Sequence, residues 1–87
     1  MYVIAVYDVD SKRGSKMLKL CRRYLHWIQN SVFEGEITEV ALKELIHDAK
    51  AIMDESQDSF IIFKNRSASW LDKQIIGQEK SSIDQFL

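Results

Sequence analysis

The chain has 87 residues, 46% of them apolar and 29% charged, with three glycines and no proline. That is one domain, residues 1–87, and disordered, collagen-like and linker-rich architectures are excluded. The net charge of −1 gives no reason by itself to expect nucleic acid or an anionic membrane, and the single Cys21 excludes an internal disulfide or a four-cysteine zinc site.

Residues 1–7 read M-Y-V-I-A-V-Y, short, aromatic and rich in β-branched side chains. A near-continuous apolar run of this kind predicts a central strand buried on both faces, closed by Asp8. Asp10 and Ser11 are both good N-cap types for the helix that follows. On it Met17, Leu20, Cys21 and Tyr24 form one apolar stripe, and lysines and arginines cover most of the rest. Residues 26–37 carry β-formers interrupted by Gln29, Asn30 and Ser31. They predict two short strands, or one sharply bent strand, meeting near Asn30.

Thr38 is placed to cap a second helix, with Leu42, Leu45, Ile46, Ala49, Ile52 and Met53 at helical spacing. Residues 54–58 read as a polar, acidic turn. Residues 59–63 read as a second buried strand, 64–69 as a loop, 70–76 as a further strand and 77–82 as a loop. Three apolar residues, Ile83, Phe86 and Leu87, end the chain. Two β-α-β passes in so short a chain predict an α+β fold. Its plan is the ferredoxin-like split β-α-β, with two helices on one face of an antiparallel sheet. A folded monomer of this mass buries roughly 64% of its unfolded surface, a modest core that a partner subunit often supplements. The longest uncharged apolar stretch is far short of a membrane span and lacks the flanks of a signal peptide. A soluble cytoplasmic protein is the expectation, and a free thiol suits a reducing compartment.

Chemistry starts at Asp8, which follows a buried strand and precedes a helix N-terminus. Asp10 lies two residues on and would share its face if the strand continued. The pair reads either as caps for the helix or as ligands of Mg²⁺, a hard cation that takes carboxylate oxygens, waters and substrate phosphates. Lys12, Arg13, Lys16, Arg22 and Arg23, with Lys64 and Arg66, read either as phosphate contacts or as a solvated helix face. Trp27 and Phe33 suit base stacking or, more simply, a core. His26 and His47 sit at no metal-ligand spacing. Cys21 lies on an apolar stripe and reads as a small buried hydrophobe. The glycines are too scattered for a phosphate cradle, and no Ser-His-Asp arrangement can be inferred.

Three segments together resemble a known family. These are the opening M-Y-V-I-A-V-Y-D, the middle Q-N-S-V-F-E-G-E-I-T from Gln29 to Thr38, and the later D-S-F-I-I from Asp58. In order and spacing they resemble the small CRISPR-associated adaptation proteins of the Cas-two family, over the whole chain. One departure is Trp27, where many relatives carry arginine.

The resemblance implies a ferredoxin-like homodimer that sets two Asp8 side chains, one per chain, at a shared Mg²⁺ or Mn²⁺ site. It implies a metal-dependent endonuclease acting on RNA or double-stranded DNA, with Asp8 both catalytic and metal-binding. The metal would activate a water and stabilise charge on the phosphoryl oxygens. Tyr7 would sit beside it, and Arg13, with Lys12 or Lys16 as alternatives for the basic position, Ser31 and Phe33 would line or support the cleft. The resemblance also implies partnership with the Cas-one integrase in spacer acquisition. In that setting a non-catalytic, DNA-binding adaptor bridging integrase dimers is the alternative. The C-terminal segment, about residues 78–87, would join the partner's sheet at the dimer interface.

Overall fold

A computed structural model of the chain describes residues 1–81, apart from the side chain of Trp70. Strand β1 (Tyr2–Asp8) leads into helix α1 (Ser11–Arg22), then β2 (His26–Gln29) and β3 (Val32–Glu36). Helix α2 (Glu39–Ile52), β4 (Ser59–Asn65) and a short 3₁₀ turn (Ala68–Trp70) follow. The sheet order is β2-β3-β1-β4 and every pairing is antiparallel. This is the ferredoxin-like plan expected from the sequence.

The elements begin where their caps put them. Asp10 caps α1, its carboxylate accepting the Lys12 amide at 3.1 Å, and the Thr38 hydroxyl accepts the Ala41 amide at 3.1 Å to cap α2. Residues 26–37 form a hairpin rather than one bent strand. Its two-residue turn, Asn30–Ser31, is made by Asn30 at φ 46°, a left-handed conformation that asparagine tolerates better than most residues.

The core lies between the helices and one sheet face. Val3, Ala5 and Tyr7 of β1 and Phe33 of β3 meet Met17, Leu20 and Cys21 of α1 and Leu42, Leu45 and Ala49 of α2. Cys21 is fully buried, and desolvation pushes its thiol pKa up to about 12, so it is packing rather than a nucleophile.

Three expectations need correction. β1 is central, but only one of its faces is fully buried; Tyr2, Ile4 and Val6 are half-buried because both helices of the described residues pack on the opposite face. β4 is not a buried strand but an edge. Phe60 and Ile62 pack against the core, whereas Ile61 and Phe63 remain 50% and 59% exposed on the open face. Residues 70–76 do not form a strand. Leu71, Asp72 and Lys73 cross the open face above Tyr2, Ile4, Val32 and Glu34, and Lys73 Nζ pairs with the Glu34 carboxylate at 3.0 Å. A strand needs a hydrogen-bonded edge, and this segment lies across a face instead. The expectation for the C-terminal segment falls largely on residues 82–87, outside the described ones.

Both helical connections at the Asp8 end are tied to one carboxylate. The Asp58 side chain is 1% exposed and accepts four hydrogen bonds. They come from the Asp10 amide at 3.0 Å, the Asp54 amide at 2.9 Å, and Arg13 Nε and Nη2 at 2.6 and 3.0 Å. The Arg13 guanidinium, helped by those amides, holds the Asp58 carboxyl well below the usual carboxylate range. A depressed folded pKa stabilises the fold fully above the unfolded value of about 3.9, and that stabilisation is lost as pH falls through the folded value. Thermal melts from pH 7 to pH 2 should therefore show wild type losing stability steeply below about pH 4. Asp58→Asn should start lower at pH 7 and decline less on acidification. Parallel acid limbs for the two proteins would mean that the carboxylate is not engaged in this way.

Candidate functional site

The sheet end at which β1 stops gathers four features. Asp8 is the last residue of β1 and stands opposite Ser59, the first residue of β4. The N-terminus of α1 begins three residues on. The β2–β3 turn closes the other side, with the Tyr7 amide donating to the Ser31 carbonyl at 3.2 Å. The Asp58 network forms the floor between α1 and β4.

Four aspartates lie around this end, and their hydrogen bonds separate them. Asp10 is used as a helix cap. Asp54 accepts the Ser56 amide and hydroxyl at 3.0 and 2.6 Å, which hold its carboxyl below the usual range. Asp58 is saturated by backbone amides and Arg13. Asp8 alone of the four is exposed with no hydrogen-bond or ion-pair partner among the described residues. A carboxylate left unsatisfied on a rigid strand end is chemically suited to a hard cation. One chain supplies only this one, since no group of three or more His, Cys, Asp or Glu is close enough to hold a metal among the described residues.

The other residues named by the resemblance separate into supports and surface. Tyr7 and Phe33 are core side chains whose rings stack at 6.1 Å, and burial, with Cys21 nearby, pushes the Tyr7 phenol up. They buttress the strand on which Asp8 stands. Arg13 is committed to Asp58, so it braces the helix start rather than offering a free cation. Ser31 sits in the turn that holds Tyr7. Lys16 lines a groove between α1 and α2 with Lys19, Arg23 and Asp48, and no hydrogen bond or ion pair joins it to Asp8.

Sequence reasoning missed Asp58 as a hub, reading it only as part of an acidic turn and of a strand-opening motif. Its one signal was an acidic residue immediately before a strand of apolar residues. The sequence offers Trp27 as a stacking or core residue and as a departure from the family, but gives no sign of its polar bond to the turn. Its ring is covered by the Arg22 guanidinium at 5.9 Å, and its indole N–H donates to the Asn30 carbonyl at 2.9 Å.

Comparisons of sequence and of fold with known proteins point to one family. The family described as CRISPR associated protein Cas2 matches residues 1–73. The chain is 46% identical over 87 residues to the CRISPR-associated endoribonuclease Cas2 of Dictyoglomus turgidum, covering 100% of both. It is 42% identical over 92 residues to that of Fusobacterium nucleatum, covering 100% of this chain and 87% of the relative. Among solved structures, a crystal structure of Cas2 superposes with a TM-score of 0.79 at 44% identity, over 93% of this chain and 91% of that one. Streptococcus pyogenes Cas2, crystallised at pH 6.5, gives a TM-score of 0.74 at 29% identity, over 86% and 99%. With the family match over residues 1–73, the full-length similarity to relatives and the shared fold in agreement, the chain belongs to the CRISPR-associated protein Cas2 family.

Proposed function

We propose that the protein is a metal-dependent endoribonuclease of CRISPR adaptation, working as a homodimer with one Asp8 from each chain at a shared site. The observation that carries this reading is Asp8 itself, a strand-end carboxylate with no hydrogen-bond or ion-pair partner among the described residues. Relatives covering the full chain bear the name endoribonuclease, which supports RNA as the substrate. Two Asp8 carboxylates would hold Mg²⁺ or Mn²⁺ with hard oxygen donors. When bound, the ion supplies positive charge at the scissile phosphodiester and an activated water. The chain's own residues do the rest. The β1–β4 ladder holds Asp8 opposite Ser59, the Tyr7 amide bond to Ser31 holds the preceding residue on the β3 side, and the Asp58 network fixes the adjoining helix start. Among the described residues neither His26 nor His47 makes a hydrogen bond or ion pair with Asp8, and the nucleophile of this reading is the metal-activated water.

A homodimer is supported by the uncovered sheet face. Ile61 and Phe63 on β4, with Ile75 and Ile76 beyond the 3₁₀ turn, leave apolar surface in water that a second copy would cover.

A second reading, as a DNA-binding adaptor that bridges Cas-one integrase dimers, is favoured by one further observation. Lys12, Lys16, Lys19 and Arg23 are exposed at spacings of four, three and four along α1, and none makes an ion pair among the described residues. They form a single stripe about 16 Å long, suited to a phosphate backbone.

Cleavage of single-stranded RNA and of duplex DNA, with Mg²⁺ and with EDTA, tests the first reading. RNA cleavage by wild type that requires the metal, and that falls at least about a hundredfold in Asp8→Ala, is expected. A folded dimer that binds nucleic acid without cutting it would overturn the nuclease reading and leave the adaptor. Sedimentation at micromolar concentration should give a dimer, and a monomer would remove the paired-carboxylate site. If the α1 stripe tracks phosphates, duplex affinity should fall with salt at a log–log slope of roughly −3 to −4 per stripe engaged. Lys16→Ala and Lys19→Ala should each reduce that slope by about one.

A further inference from the structure

We propose that Trp27 is a positioning residue for Asp8, acting through the β2–β3 turn; the inference rests on the reading of Asp8 as the reactive carboxylate. Trp27 stands on an edge strand, and β2 carries one extra residue against β3 between Trp27 and Gln29. A bulge of this kind loosens the ladder just where the turn begins. The turn then depends on other bonds, and the Trp27 indole supplies one at 2.9 Å to the carbonyl of Asn30, the residue with positive φ.

Two paths lead from that bond to Asp8. Along the backbone, Asn30 fixes Ser31, whose carbonyl accepts the Tyr7 amide at 3.2 Å. This bond lies one residue before Asp8 and extends the β1–β3 pairing beyond its last matched pair, Val6 and Val32. Along the side chains, Trp27 is in register with Phe33, and Phe33 stacks on Tyr7. Both paths converge on Tyr7. The indole thus has two functions that a phenyl ring would separate: packing in the aromatic row, and the N–H that pins the turn. Arg22 over the ring face holds the indole plane against the hairpin.

The test is Trp27→Phe, which keeps an aromatic ring in the row and removes the donor. His26→Ala, an exposed neighbour on the same strand, is the control. Amide hydrogen exchange read by NMR should be about tenfold faster at Tyr7 in Trp27→Phe, with Val3 unchanged and the melting temperature little altered. With RNA and Mn²⁺, kcat should fall about tenfold while KM stays within about twofold, because displaced geometry costs rate rather than binding. Trp27→Phe with wild-type Tyr7 exchange overturns the proposal. So does a uniform loss of protection across β1, which would assign Trp27 to general packing. Absence of cleavage by wild type would sink the nuclease reading, and the Tyr7 exchange would still decide whether Trp27 holds this strand end.

Discussion

The Asp58 carboxylate is the constraint on which the rest of this small fold depends. Both helical crossovers of a split β-α-β must turn at the ends of the sheet, and here one buried anion serves the α1 entry and the α2 exit together. It accepts the Asp10 amide ahead of α1 and the Asp54 amide after α2, and it binds Arg13 in the first turn of α1. A buried carboxylate without partners would be costly, and four donors make it tolerable. Remove it, and Arg13 and two amides lose their acceptor at once. The geometry of the Asp8 end is therefore set from below by a residue that does no chemistry.

That arrangement explains a division of labour among acidic side chains. Asp10, Asp54 and Asp58 lie within a few residues of chain reversals, and each is consumed by backbone amides, as short carboxylates tend to be at caps and turns. Asp8 differs because it ends a strand, paired there with Ser59 of β4 and preceded by the Tyr7–Ser31 bond on the other side. Its carboxylate has nothing local to cap. It is left exposed on a rigid mount, which is what a ligand or catalytic carboxylate requires.

The sheet has a second asymmetry. The helices cover one face, and among the described residues the other is crossed by the segment around Leu71 and Lys73, held by Glu34. Glu34 also accepts the Tyr2 hydroxyl, so a polar anchor is built into an otherwise apolar face. Ile61 and Phe63 stay in water on the β4 side. Under the proposed homodimer, one two-fold partner would cover this apolar surface and bring a second Asp8, so a single contact would serve both fold and site.

The sequence by itself determined the element order, the two helices with their Asp10 and Thr38 ends, the central β1 and the interruption at Asn30. Those are local matters: apolar period, capping chemistry and the left-handed tolerance of asparagine. Its motifs, spread over the chain in the right order, also determined the family. Other features were decided only by tertiary structure, because they depend on which elements become neighbours. Apolar composition alone could not tell that S-F-I-I-F would be an edge, since edge and centre differ only in what pairs beyond them. Nor could it tell that residues 70–76 would lie across a face rather than join a ladder. The role of Asp58 required α1, α2 and β4 to meet, with Arg13 45 residues away in sequence. The same holds for Trp27, whose indole has meaning only against the folded turn. The spacing left Asp8 open between cap and ligand, and the family resemblance named it. The fold shows that, of the four aspartates at this end, it alone has no hydrogen-bond or ion-pair partner among the described residues.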